Sequence, residues 1–172
     1  MWQDFEYEFN QTLLVFGQNI RKARKQKQVS LHTLAETIHY DRGCLTKLEQ
    51  RGQNIEYQTS IKLARALNVS YPALFSRNFM ESKSNLETDC NQPFCDDDYL
   101  FVFIENFQRS MRKRNASQVQ VYINTAVSES AVSRVIHGDN KNPTLKTLYA
   151  MSFTSHCDMH HLFSRNAEEE AL

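Results

Sequence analysis

Leu74-Phe75-Ser76-Arg77-Asn78 recurs as Leu162-Phe163-Ser164-Arg165-Asn166, an offset of 88, and this self-similarity limits the possible architectures more than any other feature. With one residue inserted before Asn142, Ser30 aligns with Ser117 at an offset of 87. The matched blocks run from about Val15 to Asn78 and from about Val102 to Asn166. A chain of 172 residues holds two such copies of ~60 residues and little else. The intervening stretch is polar and acidic and carries Pro93, the composition of a connector. The expected organisation is a first domain over 1–78, an acidic linker over 79–98, a second domain over 99–166 and an acidic tail over 167–172.

Each copy reads as helical. Only 4 Gly and 3 Pro are present, few of the breakers that strand-and-turn folds need. Phe5, Phe9, Leu13, Phe16 and Ile20 recur at three- and four-residue steps, which predicts one long amphipathic helix running into the basic stretch Arg21-Lys22-Ala23-Arg24-Lys25. Ser30 has N-cap chemistry for a short helix with Leu31, Leu34, Ala35 and Ile38 inward. Asp41 caps another, with Leu45 and Leu48 inward. A fourth helix through Ile61, Leu63, Ala64 and Leu67 stops near Asn68, and Tyr71 to Phe75 adds a last turn. The second copy repeats the pattern with Leu100, Phe103, Phe107 and Met111, caps at Ser117 and Ser128, then Val132, Val135, Pro143, Leu145 and Leu148.

Several function classes fall away. The apolar runs Leu13 to Phe16 and Tyr99 to Ile104 are far short of the ~20 residues that cross a bilayer. The acidic start, Met1 to Glu6, lacks a basic-then-apolar signal, so a cytoplasmic, nucleoid-associated protein is expected. Cys44, Cys90, Cys95 and Cys157 form no CxxC pair. Neither Cys90 with Cys95 nor Cys157 with His160 and His161 supplies four ligands, so no metal or cofactor is expected. His39, His137, His156, His160 and His161 lack a nucleophile or carboxylate frame, and no catalytic residues are expected.

Charge is distributed unevenly beneath a net of zero. Residues 10–78 hold 11 basic and 4 acidic side chains, and residues 99–166 hold 8 and 4, whereas 79–98 hold 1 and 6. A polyanion meets the local field rather than the sum over the chain, so two basic bodies flanked by acidic segments suit nucleic acid.

Ile20-Arg21, Val29-Ser30, Leu34-Ala35-Glu36, Leu45-Thr46-Lys47-Leu48-Glu49 and Ala64-Arg65-Ala66-Leu67-Asn68-Val69-Ser70 resemble the XRE-type helix-turn-helix domain of phage repressor and Cro proteins. The second copy is similar but more divergent, keeping Ser117-Gln118, Ser133-Arg134-Val135, Asn142-Pro143-Thr144-Leu145 and Leu162-Phe163. The resemblance implies an all-α chain of two tandem five-helix, lambda-repressor-like domains joined by the acidic linker, with double-stranded DNA as partner.

A helix ~10 Å across fits the major groove, and only outward residues of its first turns reach base edges. With Leu45 and Leu48 inward, Arg42, Gly43, Thr46 and Lys47 face out. Their counterparts are Glu129, Ser130, Ser133 and Arg134. Arg42 suits guanine, Glu129 can accept from cytosine N4 but repels phosphate, and Gly43 implies close approach or weaker discrimination. Backbone contacts are expected from Ser30 and Ser117. The resemblance adds Gln118 at the family's phosphate-contact position, where the first copy has Leu31, and Asn54 and Lys141 in the following loop. It also implies a structural ion pair between Arg24 and Glu49, for which the second copy has Met111 and Ile136.

Three readings follow. The preferred one is a sequence-specific regulator of transcription, the two copies forming an internal pseudo-dimer in adjacent major grooves. A flexible 20-residue connector spans ~25 Å r.m.s. and ~65 Å fully drawn out, against ~34 Å between half-sites. In the second reading one domain reads DNA and the other binds protein, either another chain of its own kind or another regulator. In the third, the protein serves conjugative transfer or a mobile element by binding an origin-type site.

Overall fold

In the computed structural model, residues 2–79 and 96–165 are described, and they contain helices and turns but no strand. Residues 80–95 and 166–172, which include most of the expected linker, Cys90, Cys95 and the expected tail, lie outside the described residues. The helices are α1 (Trp2–Gln26), α2 (Leu31–Thr37), α3 (Arg42–Arg51), α4 (Tyr57–Leu67), a 3-10 turn (Pro72–Phe75), α5 (Asp96–Lys113), α6 (Val119–Thr125), α7 (Glu129–Ile136), α8 (Leu145–Ser155) and α9 (Met159–Phe163). No described helix is long and apolar enough to cross a membrane. The chain divides into two compact units, residues 8–94 and residues 1–7 with 95–172.

In the unit of residues 8–94, the predicted stripe of α1 is the core: Phe9, Leu13, Phe16 and Ile20 are buried, with Leu34, Leu45, Leu48, Ile61 and Leu67. The final turn closes the unit. Phe75 stacks on Phe16 with centroids 5.1 Å apart, and Asn19 Nδ2 donates to the carbonyls of Leu74 and Ser76 at 3.0 and 2.8 Å. Ser60 Oγ and the Tyr71 hydroxyl share a buried hydrogen bond of 2.8 Å.

The other unit closes in the same manner. Phe103 meets Phe163 at 4.7 Å, and Asn106 Nδ2 donates to the carbonyls of Leu162 and Ser164 at 3.0 and 3.1 Å. The opening turns of α1 belong here: Phe5 packs against Tyr149 and Phe153 at 5.7 and 5.5 Å, and Lys146 Nζ reaches Glu6 Oε1 at 2.5 Å. Left-handed residues recur at the repeat offsets as well, Gln28 with Asn115, His39 with Ala126 and Asn68 with His156.

Three details depart from the sequence expectations. Phe79, the first residue of the expected linker, is buried at 6% exposure. Helix α5 begins at Asp96, inside that expected linker, as acidic residues suit the positive end of a helix dipole. Ser117 does not cap α6, because Gln120 and Val121 donate their amides to the carbonyls of Ser117 and Gln118 at 3.1 and 3.0 Å. Gln118 takes the cap position in helical conformation without a side-chain bond.

Candidate nucleic-acid interface

Helix α3 is held so that one face is committed to the core and the other to solvent. It follows α2 through a turn closed by the amides of His39 and Tyr40 on the carbonyls of Glu36 and Ala35 at 3.1 and 2.9 Å, with His39 left-handed at φ 53. Ser30 Oγ accepts from the Thr33 amide at 3.0 Å, and Asp41 Oδ1 accepts from the Cys44 amide at 2.7 Å, so both helices carry the predicted caps. The Cys44 amide bond holds the Asp41 carboxyl below the ordinary carboxylate range. Beyond the cap, Leu45 and Leu48 are fully buried, while Arg42, Gly43 and Lys47 are exposed and Thr46 is half-buried with its hydroxyl donating to the Arg42 carbonyl at 2.8 Å.

Gly43 has a local explanation. A Cβ there would stand 3.1 Å from Asp41 Oδ1, so the glycine leaves room for the capping carboxylate. Gln50, one turn beyond Lys47, is also exposed and carries an amide able to pair with adenine. The three-residue step from Lys47 was the signal for it.

Three supports fix α3 against α1. Arg24 Nε and Nη2 grip Glu49 Oε1 and Oε2, both at 2.7 Å, and Nη1 donates to the Val29 carbonyl at 3.0 Å. Glu49 is 5% exposed, so the pair shields two charges from water, and the bond to Glu49 raises the Arg24 pKa against the opposing effect of burial. At Gly17 a Cβ would lie 2.0 Å from the Leu48 carbonyl oxygen. At Gly52, which ends α3 at φ 71, it would lie 2.6 Å from the Leu13 carbonyl carbon. Arg24 is thereby occupied within the fold.

In the other unit, α7 starts at a Ser128 cap whose hydroxyl accepts from the Ala131 amide at 3.3 Å, and it buries Val132 and Val135. Glu129, Ser130 and Arg134 are exposed. Ser133 is half-buried, its hydroxyl 3.2 Å from His137 Nδ1. In the loop beyond, Asn140 donates its amide to the Arg134 carbonyl at 2.9 Å and accepts from the Asn142 amide at 3.0 Å, leaving Lys141 exposed between them. Ser117 is exposed, Gln118 is half-buried, and Asn54 is exposed in the loop after α3. The basic residues Arg21, Lys22, Lys25 and Lys27, and Arg112, Lys113 and Arg114, are all exposed. No group of three His, Cys, Asp or Glu residues able to hold a metal occurs among the described residues.

Comparison with known proteins agrees with this geometry in the unit that contains α3. Residues 20–74 match a helix-turn-helix family profile. Over 69 residues, 40% of this chain and 82% of the relative, the sequence is 30% identical to control protein C.SmaI of Serratia marcescens. No solved structure matches significantly.

Proposed function

Because the chain belongs to the XRE-type helix-turn-helix family, we propose that it is a DNA-binding regulator of transcription that reads two half-sites of a duplex with α3 and α7. The relative's name, a control protein, supports regulation. The observation that carries the two-headed reading is the repeated closure: Asn19 and Asn106 make the same pair of bonds to the last turn of their units, and left-handed residues recur in register. Two domains, the second opening with α5 at Asp96, account for that recurrence.

In this reading Arg42, Thr46 and Lys47 contact bases from α3, with Gly43 setting the distance. Glu129, Ser130, Ser133 and Arg134 do so from α7. Ser30, Asn54, Ser117, Gln118 and Lys141 position the two heads on phosphates. Tethering supplies effective concentrations of order millimolar, so two individually weak heads bind well together.

Double variants test it on a duplex selected from a randomised pool. Arg42→Gln with Lys47→Gln should weaken binding by ~1 to 3 kcal/mol per lost base contact and flatten the salt dependence. Arg134→Gln with Gln118→Ala should do the same to a smaller degree. If the second pair leaves affinity and salt slope untouched, α7 is not a reading helix and the first unit binds alone.

A further inference from the structure

The residue that closes α7 is a histidine held by one of its two nitrogens. His137 Nδ1 lies 2.8 Å from the Ser133 carbonyl oxygen and 3.2 Å from the Ser133 hydroxyl. A carbonyl only accepts, so Nδ1 carries a proton, and Nε2 bonds to no described residue. The ring is exposed and stands on the side of α7 that displays Ser133, four residues earlier. One repeat earlier the residue is Gln50, also exposed but uncharged at any pH.

In a neutral ring with Nδ1 protonated, Nε2 is an acceptor; a second proton makes it a charged donor. Imidazole makes that change between about pH 5 and 8. Phosphate oxygens accept, so contact with the duplex backbone selects the charged ring. His137 lies beyond the first turns of α7 that reach base edges, which sets it against backbone rather than bases. The second unit also has the greater use for a cation there. Helix α7 carries Glu129 and Arg134, whereas α3 sets Arg42, Lys47 and Arg51 against Glu49 alone. The charged and titratable groups around the ring are Glu129 and Arg134 on α7, Asp139 and Lys141 in the loop, Tyr122 on α6, and Lys146 and Tyr149 on α8. None of them bonds to it. Lys146 is held by Glu6, and Tyr149 is buried.

We propose that His137 is a DNA-backbone contact of the second unit that acts in its protonated form: Nδ1–H stays on the Ser133 carbonyl while Nε2–H donates to a phosphate oxygen. Binding then takes up one proton and tightens as pH falls. The inference rests on the DNA-binding reading above and adds a residue to it. Its test uses the full chain and a pool-selected duplex at constant ionic strength. Affinity should be about three- to tenfold higher at about pH 6 than at about pH 8, the scale of one charged hydrogen bond. His137→Gln, which copies Gln50, should lose most of that difference with circular dichroism unchanged. His137→Lys, charged throughout, should bind tightly at both pH values. A neutral methylphosphonate at the contacted phosphate should remove the difference from the natural chain as His137→Gln does. With binding intact, a pH difference that survives in His137→Gln overturns this inference alone, because another histidine such as His32 or His39 then supplies it. So does a natural chain with equal affinity at both pH values, or a difference that no methylphosphonate position removes. Failure to bind any duplex at either pH overturns the DNA-binding reading and this inference with it.

Discussion

Helices α3 and α7 each follow a turn with a left-handed residue, His39 or Ala126, yet they are secured by different means. Around α3 the supports are polar and close: the Arg24–Glu49 pair, the approach at Gly17 and the approach at Gly52. At an offset of 87 from Arg24, Glu49 and Gly17 the sequence has Met111, Ile136 and Ile104. Gly138 has nothing within 4 Å of a Cβ. One helix is held at backbone distance and the other by the side chains Val132 and Val135. The comparison teaches that such a helix can be placed by a buried ion pair and close backbone approach or by buried apolar side chains alone.

The largest effect should come from breaking the pair one side at a time. Arg24→Met leaves Glu49 buried without compensation and should cost about 3 to 5 kcal/mol in denaturant unfolding of the full chain. Adding Glu49→Ile, which copies the other unit, should recover most of that loss. A double variant as unstable as the single one would show that the two solutions are not interchangeable.

An intermediate effect should show what the units share. Asn19→Ala and Asn106→Ala each strand two carbonyl acceptors, and each should cost about 1 to 3 kcal/mol, similar in the two units. Hydrogen exchange resolves the unit affected; a clear loss for one variant and none for the other would mean that the units close differently.

The smallest effect separates the caps by pH. Asp41 has a depressed carboxyl pKa in the folded chain, so its charge stabilises the fold above the unfolded value of about 3.9, and that contribution is lost as pH falls through the lower folded value. The melting-temperature gap between the natural chain and Asp41→Asn should stay constant near neutrality and close below about pH 4. The effect of Ser128→Ala should show no such titration, since a hydroxyl caps α7. A gap for Asp41→Asn that persists in acid would refute the charge-based account.

Much of this was legible in the residues, for identifiable reasons. Phe9, Leu13, Phe16 and Ile20 announce a buried face by spacing, and Ser30, Asp41 and Ser128 announce caps by chemistry, because both signals are local. Arg24 with Glu49 came from family resemblance, and the bidentate geometry matches it. What stayed hidden depends on distant partners. Periodicity says that Phe5 is buried, not that Tyr149 and Phe153 bury it. The polar composition around Phe79 masks one buried ring, and Ser117 loses its capping role to a tight backbone turn that serine chemistry does not reveal. Gln50 needed only one more step along a spacing already in use.

Gly17 has a practical consequence. Since the Leu48 carbonyl rests directly on the main chain of α1 there, the depth at which α3 sits is independent of which side chains α3 displays to solvent. Arg42, Thr46, Lys47 and Gln50 can therefore be exchanged in combination to test the proposed base readout while the platform beneath them is left untouched, whereas α7 is seated on side chains.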